Sequence, residues 1–126
     1  MKTAIGTTTA LPAQDLERAR AFYADVLGLD PPEQVQEDGL RYKVGTTEFL
    51  VFASSGGPSG THTQMAFRVD DVDAAAADLR ARGLVFEDIE GLDQVDGIAT
   101  VPDGRGGWFR DSEGNLLGII QENAPA

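Results

Sequence analysis

Gly107-Trp108-Phe109-Arg110-Asp111-Ser112-Glu113-Gly114-Asn115-Leu116-Leu117-Gly118-Ile119-Ile120-Gln121 reads as a β-hairpin. Trp108, Phe109 and Arg110 favour a strand, and Asp111 to Asn115 supply turn chemistry. Gly114 and Asn115 tolerate positive φ. Leu116 to Gln121 is a short apolar run of strand length. Side chains alternate across a strand, so Leu116, Gly118 and Ile120 share one face and Leu117, Ile119 and Gln121 the other. Gly118 carries no side chain with which to do chemistry.

The rest of the 126 residues repeats a simple order. Thr3 to Leu11 predicts a strand ended by Pro12. Asp15 is placed to cap a helix whose inward face is Leu16, Ala19, Tyr23 and Val26 or Leu27, with Gly28 as its stop. Glu33 to Glu37, Leu40 to Gly45 and Glu48 to Ser54 predict three short strands, joined at Asp38-Gly39 and at Gly45-Thr46-Thr47. Ser54 to Gly60 is a Gly/Ser/Pro loop. The pattern then begins again. Thr63 to Val69 predicts a strand, and Asp70 or Asp71 caps a helix with Val72, Ala75 or Ala76, and Leu79 inward, stopped by Gly83. Leu84 to Asp88 predicts a strand, followed by an irregular acidic stretch from Ile89 to Asp103 and then the hairpin. Asp103 to Gly107 reads as a rim loop or the lead-in to that hairpin, and disorder is expected only from Glu122 to Ala126. The chain is therefore an α+β domain of two β-α-β-β-β modules, residues 1–55 and 63–123, joined by a linker at 56–62. One module alone leaves a sheet face bare, so the two share a core or a cleft.

Composition removes several function classes. The net charge of −11 repels phosphate backbones, and no basic patch offsets it, so nucleic acid is not expected as a partner. With no cysteine there is no disulfide, thiol nucleophile or zinc–thiolate site. No stretch is long and apolar enough to span a bilayer, and a cytoplasmic protein is expected. A single histidine, His62, rules out a Ser-His-Asp arrangement of conventional kind.

Three segments resemble the vicinal oxygen chelate superfamily, which contains glyoxalase I, extradiol dioxygenases, and fosfomycin- and bleomycin-resistance proteins. They are Asp15 to Tyr23 with Val26 to Leu29, Ala66 to Val72, and Trp108 to Leu116. The resemblance spans essentially the whole chain and speaks for the fold, not for one activity. It implies paired modules of curved sheet forming a cleft, with many members homodimeric. Metal-dependent members hold a divalent ion with His, Glu or Gln side chains from the modules' first and last strands. The matching positions here are Thr8, Gln64 and Gly118: a hydroxyl, an amide and nothing. The resemblance therefore implies no metal and no cofactor here, with His62 a solvated loop residue; a metal held by Gln64 and His62 is the competing reading.

Strand phase gives the expected ligand-binding residues: Thr8, Tyr42, Phe52, Gln64, Arg68, Trp108, Arg110, Leu116 and Gly118. Such a wall is apolar and aromatic with few polar fixtures, and it suits a planar or apolar organic small-molecule ligand. Arg68 and Arg110 would favour a carboxylate or phosphate on it, unless they pair with neighbouring acids. The reading is a metal-independent small-molecule-binding homodimer. The alternative is a glyoxalase-like lyase or dioxygenase-type enzyme with an atypical metal site. A metal-free lyase or isomerase working through Tyr42 and Arg110, and a regulatory or scaffolding dimer, are further readings.

Overall fold

The computed structural model describes residues 1–58 and 60–123. In chain order the elements are β1 (Thr9–Ala13), α1 (Leu16–Asp25), β2 (Glu33–Val35), β3 (Gly39–Val44), β4 (Thr47–Ala53), β5 (Met65–Arg68), α2 (Val72–Ala81), β6 (Gln94–Val95), β7 (Ile98–Val101), β8 (Gly104–Arg110) and β9 (Leu116–Glu122). They build two sheets. The first has the order β1-β4-β3-β2 and the second β5-β9-β8-β7-β6. In each, the strand before the helix pairs in parallel with the last strand of its module, Leu11 beside Val51 and Phe67 beside Ile119. The remaining pairs are antiparallel. No helix among the described residues is long and apolar enough to cross a membrane.

Both helices start as their sequences dictate. The Asp15 carboxylate accepts the Arg18 N–H at 3.0 Å, and Asp71, not Asp70, accepts the Ala74 N–H at 3.1 Å. α1 buries Ala19 and Tyr23, and α2 buries Val72, Ala76 and Leu79. One apolar cluster joins the two modules. At its centre the ring of Tyr42 stacks on Phe49 at 5.1 Å, Tyr23 lies 5.1 Å from Tyr42, and Phe49 meets Phe67 of the second module edge-on at 5.8 Å.

Several boundaries differ from expectation. β1 begins at Thr9 and continues through Pro12 to Ala13. A proline fits because β1 is an edge strand with β4 as its only neighbour, so the missing N–H is not needed by a second one. Asp38-Gly39 is not a two-residue turn: Gly39 pairs with Val35, leaving Gln36 to Asp38 as the loop. The two-residue turn of that kind is Asp96-Gly97, with φ of 53° and 82°, which joins β6 to β7. The stretch Ile89 to Asp103 therefore holds two strands, whereas Leu84 to Asp88 holds none. Gly104 to Gly107 is not a loop but the first half of β8. Glu122 ends β9, and residues 124–126 of the expected disordered tail lie outside the described residues.

A buried polar knot ties the hairpin turn of the second module to α1 and β1 of the first. Asp111 accepts the backbone N–H groups of Glu113 and Asn115 at 2.8 and 2.9 Å, closing the turn. Its other oxygen accepts the Tyr23 hydroxyl at 2.7 Å. The Asn115 amide donates to Asp111 and to the Pro12 carbonyl, and accepts from Gln64. Glu113 accepts the Asp15 N–H at 2.9 Å and two bonds from the Arg18 guanidinium at 2.7 and 3.0 Å. Asp111, Glu113 and Asn115 are all buried.

Two outcomes follow from this knot. Asn115→Ala removes three side-chain hydrogen bonds, one of them to the buried Asp111, so urea denaturation should show a loss of about 2–4 kcal/mol with an unchanged m-value; a loss within about 0.5 kcal/mol would remove the knot's claimed role. The Arg18 guanidinium hydrogen-bonded to Glu113 pulls its carboxyl from 4.5 down to about 2, against the opposing effect of burial. A folded value below the unfolded one gives stability that is complete above about pH 4.5 and drains away as pH falls toward 2. Glu113→Gln should therefore flatten the acid limb of a stability–pH curve between those values while shifting the plateau above it.

Candidate functional site

Each sheet has one face against its helix and one face open. Register assigns the side chains. In the first sheet Leu11, Leu40, Tyr42, Phe49 and Val51 pack inward, while Ala10, Pro12, Leu50 and Phe52 line the open face. In the second, Phe67, Phe109, Leu117 and Ile119 pack inward, and Ala66, Trp108, Leu116, Gly118 and Ile120 share the open face. On these faces Ala10 and Ala66 are exposed and Phe52 and Trp108 are half-buried.

Trp108 is the largest group on the open face of the second sheet, and it is pinned. It stands directly across from Gly118 in the β8–β9 ladder. A Cβ at Gly118 would meet the indole Cδ1 and Nε1 at 3.4 and 3.5 Å and the Gly107 carbonyl oxygen at 3.2 Å. The indole thus covers the bare backbone of position 118, and its N–H donates to the Thr63 hydroxyl at 3.0 Å. Nothing in the sequence singles out Thr63; only the fold brings it to Trp108.

The other expected site residues separate into groups. Phe52 and Leu116 lie on open faces, one on each sheet, half-buried and buried respectively. Thr8 is exposed just ahead of β1. Tyr42 is not on an open face: its ring is sealed between Tyr23 and Phe49, and burial pushes its phenol up to about 12. Its hydroxyl has no hydrogen-bond partner there. The cause is phase, since β3 turns Leu40, Tyr42 and Val44 to the helix side and Gly39, Arg41 and Lys43 to the other. Gln64 is spent on structure, its amide nitrogen on Asn115 and its oxygen accepting the Leu116 N–H at 3.2 Å. Arg110 pairs with Glu87 at 3.3 Å and donates to the carbonyls of Gly60 and Gly114 at 3.1 and 2.8 Å. Arg68 reaches Glu122 at 3.4 Å. The two arginines are thus each committed to an acid, not converged on a ligand. His62 sits exposed in the loop before β5. No group of three or more His, Cys, Asp or Glu side chains among the described residues is arranged to hold a metal ion.

Two concavities lie elsewhere. A groove of ≈1180 Å³ with a mixed wall runs between the unpaired edges of β1 and β5, past Thr8, Glu48, Arg68 and Asp70 and past Phe49, Met65 and Phe67, and so brings the expected Thr8 and Arg68 to one groove. A smaller apolar cavity of ≈220 Å³ lies on the helix side, at the seam of the modules.

No curated protein matches the chain by sequence. Solved structures do match its fold. A lactoylglutathione lyase from Agrobacterium tumefaciens is 25% identical, with 94% of this chain and 93% of that one covered and a TM-score of 0.68. TnmS3, an antibiotic binding protein from Streptomyces sp. CB03234, is 26% identical over 98% of this chain and 99% of its own, with a TM-score of 0.68. A bleomycin resistance determinant encoded on the transposon Tn5 shares 19% identity over 96% and 100%, with a TM-score of 0.71, a likeness of fold alone. The family model described as Glyoxalase/Bleomycin resistance protein/Dioxygenase superfamily matches residues 5–119, and with two such modules and two such sheets this chain belongs to that superfamily.

Proposed function

We propose that the chain is a metal-independent small-molecule-binding protein. Its ligand is an aromatic or apolar organic molecule, it acts as a homodimer, and its setting is the cytoplasm. The observation that carries this reading is the Trp108 indole lying across Gly118. Metal-dependent relatives hold their ion with a carboxylate at the position matched to Gly118. Here position 118 offers no side chain and an indole lies in contact range beside it, the Gln64 amide is used at both ends, and Thr8 offers only an exposed hydroxyl. These three groups do not fit a divalent ion, which needs imidazole or carboxylate donors at neutral pH. What the open faces do offer is Trp108, Leu116 and Ile120 on one sheet and Pro12, Leu50 and Phe52 on the other.

Binding on such a surface comes from apolar burial and ring stacking, and a ligand held on one face alone keeps half its surface in water. Because Phe52 and Trp108 are only half-buried within one chain, a second copy laying one sheet over the other would complete the enclosure. The likeness to an antibiotic binding protein agrees with sequestration in place of turnover. The lyase alternative draws only on the likeness to the lactoylglutathione lyase, and the donor set speaks against it.

Trp108 is the only tryptophan, so its fluorescence reports directly on the proposed surface. Titration with a panel of aromatic metabolites and antibiotics should quench it saturably, and Trp108→Ala should weaken the same ligand by about 1–3 kcal/mol. Unchanged affinity in that variant would move the ligand elsewhere. Protein incubated with nickel, zinc, iron and manganese and then desalted should retain well below about 0.1 ion per chain; near-stoichiometric metal would favour the lyase reading instead.

A further inference from the structure

The apolar cavity at the seam of the modules is on the side of the sheets away from the open faces. Leu27 and Leu29, just after α1, form one wall. Phe67, Phe109, Ala75 and Leu79, from β5, β8 and α2, form the other. Phe67 and Phe109 are on the inward faces of their strands, whereas Trp108 points the opposite way, so this hole is separate from the surface proposed above. The two charged groups at its mouth are already paired: Asp78 lies 3.3 Å from Arg82, and Arg68 reaches Glu122. Arg82 also donates to the Asp25 carbonyl across the seam.

We infer that this cavity is a second binding site, one that takes an uncharged, compact apolar molecule of single-ring size. Volume sets the size. An apolar cavity of about 150 Å³ accepts benzene, and drug-sized pockets begin near 300 Å³, so ≈220 Å³ accommodates one substituted ring. The wall sets the chemistry, because it offers an occupant almost nothing but hydrocarbon. A charged occupant would lose its hydration and find both rim charges neutralised by their partners. A protein partner is a poor occupant, since a stable interface buries about 1,200 Å² or more and this hole admits no more than one side chain. A ring in the cavity touches Leu29 of one module and Ala75 and Leu79 of the other, so it binds the folded arrangement of both.

Toluene is the test molecule, with benzoate and benzylammonium as charged counterparts of the same size. Carbon–proton NMR of the leucine methyls should show saturable shifts for Leu27, Leu29 and Leu79 with toluene, and binding of both ions roughly tenfold weaker or less. Ala75→Leu, which fills the hole, should abolish the shifts while leaving Trp108 fluorescence unchanged. If that variant does not fold, Leu29→Ala enlarges the cavity and should admit para-xylene more tightly than the parent protein does. Absence of methyl shifts at saturating toluene would overturn the assignment. So would shifts that survive Ala75→Leu, tighter binding of either ion, or methyl shifts that track protein concentration and thereby report a second copy in the seam. Ligand quenching of Trp108 reads the other surface, so either site can fail without the other.

Discussion

Two buried carboxylates and one buried amide in a five-residue turn hold this molecule in its shape. Asp111, Glu113 and Asn115 are out of water, where an unpaired charge or amide costs several kcal/mol. Every compensating side-chain bond they make outside the turn goes to α1 or its cap Asp15, to β1, or to Gln64 just ahead of β5. The turn can therefore be buried only if the first module stands where its hydroxyl, guanidinium and carbonyl groups are within reach. Apolar packing between the modules is large but indifferent to direction. The knot selects one docking from the many that would bury similar area. It also steadies the phenol of Tyr23, which burial next to Asp111 keeps protonated far above neutral pH.

The same turn places the surface proposed for binding. β8 enters it with Trp108 three residues before Asp111, and β9 leaves it with Gly118 three residues after Asn115. The antiparallel register then sets indole over glycine. Thr63 and Gly60, both from the connection between modules, hold Trp108 and Arg110 from the side. Trp108 is thus held by the turn below it and by the connecting loop beside it, so that its orientation is fixed in advance.

How much of this was legible depended on how local each signal was. The helix caps Asp15 and Asp71 and the Asp111–Asn115 turn act over three or four residues, and their chemistry can be read without knowing the fold. The alternation that puts Trp108 opposite Phe109 is likewise local. Strand ends are not: β1 starts where β4 offers a partner, and β6 and β7 exist because Asp96-Gly97 folds an acidic stretch onto β8. That dipeptide carried a strong hairpin signal, overshadowed by the charges around it. Tyr42 failed through phase, because alternation says which residues share a face but not which face is inward. The engagements of Gln64, Arg68 and Arg110 depend mostly on residues distant in the chain, Leu116, Glu122 and Gly60 at 52, 54 and 50 positions, and residue type alone does not announce them.

The knot has no counterpart in the other half. The equivalent hairpin of the first module turns in two residues at Gly45-Thr46, with no carboxylate to reach across. The two halves differ in turn length and in strand number as well as in side chains, so the relation between them is approximate. A tandem of two first halves would lack that turn and with it the instruction for joining, which resides in one half and is read by the other.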